Sequence, residues 1–132
     1  MKATLITLLA ISVLALTGCQ TRVAIDPSTN QAQTANYSAG AFFAPLDAPV
    51  NDIFMVAIRE MDEMGYFRTG ELHTDEASTI YARKIGDQKI TVRIAVDDRK
   101  EPEAQSRVAI RIGAFGDLPE SQAIFARIRD AL

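Results

Sequence analysis

Apolar and polar residues alternate along much of the second half of the chain, which is the period of a β-strand. The alternation is strict over residues 107–112, where Val108, Ile110 and Ile112 share one face. Runs of β-branched, aromatic and other apolar residues predict four more strands, at residues 37–43, 66–73, 79–85 and 89–96. A Gly-Asp pair separates the last two runs and fits a tight hairpin between them.

Two segments carry apolar residues at spacings of three and four, which is the pattern of an amphipathic helix. The first follows a start signal at Asp47 and Pro49 and ends at Gly65. Its apolar stripe consists of Val50, Ile53, Phe54, Ala57, Met61 and Met64. The second begins at Asp117, with Glu120 in the position of a capping box. Its buried side is predicted to consist of Ser121, Ile124, Phe125, Ile128 and Leu132.

A glycine-containing corner at residues 113–116 precedes the second helix. Its glycines relieve backbone strain, and we expect Phe115 to pack under the helix. Phosphate binding at this helix start is disfavoured, because the carboxylate of Asp117 occupies it.

The element order β-α-β-β-β-β-α predicts an α+β domain, a two-layer sandwich in which an antiparallel sheet of four to five strands carries both helices on one face.

The first residues predict a lipoprotein signal peptide over residues 1–18. Lys2 is followed by an apolar run over residues 5–16. As a helix this run would span about 18 Å, which is less than the roughly 30 Å of bilayer hydrocarbon. The sequence Leu-Thr-Gly-Cys at residues 16–19 is similar to the bacterial lipobox, which implies that Cys19 becomes the acylated first residue of the mature chain. An ordinary secretory signal with an accidental cysteine is the alternative.

Residues 19–36 are predicted to be the lipidated cysteine and a flexible tether, because the stretch after Cys19 is polar, contains Pro27 and has no sustained periodicity. Residues 37–132 are predicted to form a single periplasmic domain. Gln20 rather than aspartate follows Cys19. By resemblance to lipoprotein sorting in Gram-negative bacteria, we expect attachment to the inner leaflet of the outer membrane, with the domain facing the periplasm.

Charge and cysteine content exclude several classes of protein. A formal net charge of −3 argues against a sequence-independent nucleic-acid binder, which needs a dominant cationic surface. The single cysteine excludes an internal disulfide and a cysteine-cluster metal site. We therefore expect no nucleic-acid partner and no cofactor.

Catalytic chemistry has little support in the sequence. His73 is the only histidine, so a Ser-His-Asp or Cys-His set would have to be built on it. Glu71, His73 and Asp75 alternate and offer three potential metal ligands if they continue one strand. We favour a polar strand end that runs into a loop, and predict no metal site. The acidic residues between positions 97 and 103 lack the spacing of an EF-hand.

A cationic face of the sheet is the remaining candidate site. If the apolar residues of 89–96 and 107–112 face the helices, four basic residues share the opposite face. They are Lys89, Arg93, Arg107 and Arg111. This face would suit anionic lipid headgroups, peptidoglycan carboxylates or an acidic envelope protein. The alternative is a solvated face whose arginines pair with carboxylates such as Glu71. Residues 79–85 do not decide which face is buried, so the face that Arg83 joins stays open.

Four features of the chain together point to one known family. They are the lipobox at Cys19, the helix over residues 50–65, the strand-turn-strand over residues 80–94, and Arg-Ile-Gly-Ala-Phe-Gly-Asp at residues 111–117 before the last helix. In these features the chain resembles the small bacterial lipoproteins of domain-of-unknown-function family 3568. The polar stretch after Cys19 departs from relatives, which are often rich in Gly, Ala and Val there. The resemblance implies a lipid anchor and a fold but transfers no catalytic residue.

We expect a non-catalytic periplasmic lipoprotein, anchored in the membrane through Cys19, that binds or supports another component of the cell envelope. Two alternatives stay open. One is a carrier of a small apolar ligand or lipid, with space near Phe54, Met61 and Met64. The other is a hydrolytic or metal-dependent enzyme built on His73.

Overall fold

The computed structural model describes residues 19–29, 34–99 and 104–132. The strands in these ranges are β1 (Thr21–Ala24), β2 (Thr34–Ser38), β3 (Ala41–Leu46), β4 (Phe67–His73), β5 (Ala77–Lys84), β6 (Gln88–Val96) and β7 (Ser106–Ile112). The helices are α1 (Val50–Glu63) and α2 (Leu118–Asp130). The predicted signal peptide, residues 1–18, lies outside the described residues.

The strands form one antiparallel sheet of seven, in the order β1-β2-β3-β7-β6-β5-β4. The prediction of four to five strands is therefore wrong. Residues 37–43, predicted as one strand, fold back at Ala39 and Gly40, whose φ angles of 50° and 78° make the turn between β2 and β3. The other additional strand, β1, comes from the segment predicted to be a tether and pairs with β2.

Both helices cover one face of the sheet, which we call the helix face. α1 packs on β5 and β6, and α2 packs on β3 and β7. One row of paired residues crosses this face from β3 to β5, and each of its members is at most 1% exposed. The row consists of Phe42, Ile110, Val92 and Ile80. The buried face predicted for β6 and β7 from their alternation is confirmed.

In β5 the even-numbered residues face the helices, because Ile80 and Ala82 belong to the core at 1% and 3% exposure. Because side chains alternate along a strand, Tyr81 and Arg83 lie on the other side of the sheet. We call that side, away from the helices, the open face.

The chain around β1 is fastened to α2. The carbonyl oxygen of Ala24 accepts a hydrogen bond from Nε2 of Gln122 at 2.7 Å, and the carboxylate of Asp26 pairs with Arg129 at 3.0 Å. Ile25 lies between these contacts and is buried in the core. Hydrogen bonds from Ser28 and Arg129 lower the pKa of Asp26. The described part of the predicted tether is therefore an edge of the folded domain.

The start of α2 agrees with its predicted cap. The carboxylate of Asp117 accepts a hydrogen bond from the backbone amide of Glu120 at 3.0 Å. The carboxylate of Glu120 is used elsewhere, since it accepts from the hydroxyl of Tyr66 and from Nζ of Lys84, both at 2.8 Å. Burial and the bond to Glu120 raise the pKa of Tyr66, and the same carboxylate raises the pKa of Lys84. Glu120 thus joins the start of α2 to the residue before β4 and to the last residue of β5.

The start of α1 differs from the predicted signal in one detail. The helix begins at Val50 after Pro49, and no side chain of the described ranges caps it. The carboxylate of Asp47 instead accepts hydrogen bonds from the backbone and side-chain amides of Gln105, at 3.4 and 3.3 Å. Asp47 therefore joins the end of β3 to the segment before β7.

A backbone contact joins the β2–β3 turn to the corner between β7 and α2. Gly116 has a φ of 83°, and a Cβ atom there would overlap the carbonyl oxygen of Gly40 and the hydroxyl of Tyr37. A Cβ atom on Gly40 would lie 2.7 Å from the carbonyl oxygen of Phe115. The side chain of Phe115 is 94% exposed, so its predicted packing under the helix is wrong. The backbone of the corner, not the aromatic ring, makes the contact.

Candidate functional site

The four basic residues predicted to share one face all lie on the open face. On β6 these are Lys89 and Arg93, and on β7 they are Arg107 and Arg111. Lys89 is paired with Arg83 of β5, so Arg83 joins the same face. The residues paired with the three arginines of β6 and β7 are small or uncharged, namely Thr91, Ala95 and Ala109. We call the surface formed by these four residues and Arg83 the basic face. It extends across β5, β6 and β7.

Arg111 has a structural task on this face. Its guanidinium donates hydrogen bonds to the carbonyl oxygens of Ala39 at 2.7 Å and Ala114 at 2.8 Å. It thereby clamps the β2–β3 turn to the corner between β7 and α2. Because both bonds use the charged group, Arg111 is the least available of the four for a partner.

Arg107 lies beside an aromatic ring and a buried carboxylate. Its guanidinium carbon is 5.5 Å from the centre of the Phe43 ring, within the range of a cation–π contact. The carboxylate of Asp97, whose side chain is 1% exposed, accepts a hydrogen bond from Nε of Arg99 at 2.8 Å. This bond and the nearby charge of Arg107 lower the pKa of Asp97. Arg107 thus lies near an aromatic ring and near a carboxylate that Arg99 already binds.

Lys89 and Arg93 are the available cations of the face. Both are exposed, and neither forms an ion pair with any of the residues that the structure describes. Glu71 does not neutralise them, because it pairs with Arg68 at 3.0 Å on the helix-face side of the sheet edge. The interpretation in which Glu71 pairs with arginines of the open face is therefore wrong.

His73 is held at the end of the edge strand β4. Its Nδ1 lies 3.0 Å from the hydroxyl of Ser78, its Nε2 lies 3.4 Å from Glu71, and its ring packs edge-on against Phe54 at 4.7 Å. In the ranges 19–29, 34–99 and 104–132, no three His, Cys, Asp or Glu side chains come close enough to hold a metal ion. The structure brings His73 and Glu71 together without Asp75.

The residues considered for an apolar-ligand site fill the core. Phe54 and Met61 are 5% and 2% exposed and belong to the buried cluster under the helices. Met64 packs against the edge of that cluster. Their role in the fold is core packing, as is usual for apolar residues at helical spacing.

Cys19 is exposed and lies two residues before β1. It is therefore close to the folded domain and accessible from solvent. Among the residues that the structure describes, neither helix has the length and apolar character required to span a bilayer.

The exposure of two apolar residues at the tips of turns was not predicted from the sequence. Phe115 is 94% and Ile85 is 85% exposed, and each directly precedes a glycine with a positive φ, Gly116 or Gly86. A side chain at the tip of a turn cannot reach the core. The glycine that follows each of these residues indicates a turn, and it was the only sequence signal for their exposure.

Comparison with known proteins gives a family but no relative of known function. No curated protein matches the chain. A family model described as "Protein of unknown function (DUF3568)" matches residues 2–131, which confirms the family resemblance seen in the sequence. The chain therefore belongs to this uncharacterised family.

Proposed function

We propose that the protein is a non-catalytic envelope lipoprotein that is anchored through an acylated Cys19 and uses its basic face to bind another envelope component. The observation that carries the proposal is the position of Cys19. It ends a lipobox-like sequence, is exposed, and lies two residues before the first strand of the domain. The exposed cysteine is accessible for acylation, and two or three acyl chains anchor a protein stably. The proposed location is the inner leaflet of the outer membrane, with the domain in the periplasm.

The basic face supports the second part of the proposal. Lys89 and Arg93 offer uncompensated charge on a sheet surface that also carries the exposed aromatic ring of Tyr81. A cationic surface with an aromatic group suits an anionic partner, such as an acidic protein, an anionic lipid or peptidoglycan. The alternatives have less support, because Phe54 and Met61 are packed in the core and His73 contacts Ser78, Glu71 and Phe54.

Replacement of the cysteine tests the anchor. In a Gram-negative host that expresses the full-length chain, Cys19→Ser should abolish incorporation of a labelled fatty acid and leave the protein unprocessed or mislocalised, because serine offers no thiol for acylation. Label incorporation, apparent mass and membrane fractionation measure the effect. Thr17→Ser is the matched control, since it keeps a small hydroxyl residue two positions earlier and should retain the label. Unchanged labelling and membrane retention of the Cys19→Ser protein would overturn the anchor.

A photo-reactive residue on the basic face tests the partner. Ala109 is paired with Arg93 on one side and with Phe43 on the other, so a probe there lies at the centre of the open face. We expect a defined crosslinked product in living cells. Arg93→Glu should reduce its yield roughly fivefold, as expected for an exposed charge contact of about 1 kcal/mol.

The control for this experiment is the same photo-reactive residue at Ala123, which is exposed on α2. It should give none of the product seen from Ala109. Equal products from both positions, or a yield from Ala109 that Arg93→Glu does not change, would contradict binding through the basic face.

A further inference from the structure

Three turns meet at one end of the sheet. They consist of residues 39–40, 85–87 and 113–116, and we call this region the three-turn end. The first and third turns touch at Gly40, as described above. The second lies beside the third, because both line one groove, and the backbone amide of Gly113 donates to the carbonyl oxygen of Lys89 in the adjoining strand β6 at 2.7 Å. The three turns therefore form one continuous surface.

This surface is apolar at its tips. Phe115 and Ile85 project from neighbouring turns at 94% and 85% exposure. An open groove of about 800 Å³ lies between the two turns, and Lys89 lines it. The carboxylate in these turns, Asp87, is paired with Arg83. Adjacent exposed apolar side chains beside a cation are typical of a surface that meets lipid or another macromolecule.

Cys19 emerges at the same end. Thr21, the first residue of β1, is paired with Tyr37, two residues before the β2–β3 turn. The two residues from Cys19 to Thr21 span about 7 Å of extended chain. Since Gln122 and Arg129 hold the other end of β1 against α2, β1 stays in the sheet and does not lengthen the connection. An acylated Cys19 would keep the three-turn end within reach of the bilayer surface.

The opposite end of the sheet has the opposite character. Its loops carry the exposed acidic residues Asp47, Asp75, Glu76 and Asp98, whereas Asp26 and Asp97 are paired with Arg129 and Arg99. Anionic headgroups repel such loops and attract a cation such as Lys89. The distribution of charge along the strands therefore favours one orientation at an anionic surface, with the three-turn end towards the lipid.

We propose that the three-turn end rests on the membrane in which Cys19 is anchored, with Phe115 and Ile85 inserted among the lipid headgroups. The inference rests on the proposed acylation of Cys19 and adds the orientation of the domain. Amphipathic surfaces bury apolar groups about 5–10 Å deep at the boundary between headgroups and acyl chains. The strands then rise from the membrane, and the basic face is open to a partner from the side.

The chain contains no tryptophan, so a single introduced tryptophan reports on its own surroundings. The full-length lipoprotein with Phe115→Trp is reconstituted in vesicles of phosphatidylethanolamine and phosphatidylglycerol. Its emission should shift to shorter wavelength and be quenched by lipids that are brominated on the acyl chains. Ile85→Trp, at the second tip, should behave in the same way. Val96→Trp is the control, because Val96 is 55% exposed and lies at the opposite end of the sheet. Its emission should show neither effect.

Acylation of Cys19 is measured by mass spectrometry on the same samples, which separates the two proposals. Acylated protein in which both tip variants are quenched no more than Val96→Trp would overturn the membrane contact alone. Protein that is not acylated would overturn the proposed anchor and the inference with it. A blue shift that grows with protein density and is insensitive to brominated lipid would show that a second copy of the chain covers the tips, which also overturns the inference.

Discussion

Gly116→Ala should lower the free energy of unfolding by about 2–5 kcal/mol. The φ of 83° at this position costs an alanine about 1–2 kcal/mol, and the new Cβ atom adds a steric clash. Besides overlapping two oxygen atoms, it would lie 2.6 Å from the Cα atom of Gly40. The turn cannot simply move away, because Arg111 holds Ala39 and Ala114 together. Urea denaturation followed by circular dichroism measures the loss.

Gly65→Ala separates the clash from the backbone conformation. Gly65 has a similar φ of 82°, but a Cβ atom there would have no neighbour within 4 Å. Its replacement should therefore cost only the conformational part, about 1–2 kcal/mol. If the two variants lost equal stability, the contact between the β2–β3 turn and the corner would be loose, contrary to the structure.

The sequence is sufficient wherever a face is buried over several residues. In β7, Val108, Ile110 and Ile112 alternate with two arginines and an alanine, and a shift of one position would expose all three. The alternation therefore determines which residues of the strand face the helices and which face away from them. For this reason the cationic residues of β6 and β7 could be assigned to the open face before the structure was known.

The sequence is insufficient for strands whose stability comes from distant contacts. Three of the four residues of β1 are exposed and only Val23 is half-buried, so the strand has no apolar alternation to detect. Their place at the sheet edge depends on pairing with β2 and on Gln122, which lies 98 residues away along the chain. The turn between β2 and β3 was also not predicted, because it contains Ala39, and a positive φ is uncommon for alanine.

The strand β1 also changes the functional expectation. If Cys19 is acylated as proposed, a flexible tether would let the domain move away from the membrane, whereas a strand that begins two residues after Cys19 would keep one end of the sheet close to it. The same end of the sheet carries the exposed side chains of Phe115 and Ile85, which are therefore the side chains proposed to contact the membrane. The strand β1, which was not predicted, is therefore what connects the proposed anchor to the proposed orientation of the domain.

Phe125→Ala should lower the free energy of unfolding by about 3–5 kcal/mol. Phe125 is 1% exposed and packs edge-on against Phe42, with ring centres 5.6 Å apart. This pair joins α2 to the centre of the sheet, where the neighbouring side chains are also fully buried. Close-packed side chains of this kind collapse only partly into a cavity, so the lost contacts are not regained. The shift of the urea midpoint measures the effect.

Phe115→Ala is the matched control for this prediction, since it makes the same chemical change at a ring that is 94% exposed. It should alter the free energy of unfolding by no more than about 0.5 kcal/mol. A destabilisation comparable to that of Phe125→Ala would mean that the ring of Phe115 is buried in the folded protein, against its position in the structure. A near-zero change would show that folding does not require an aromatic ring at this tip, which leaves Phe115 free to serve an external surface.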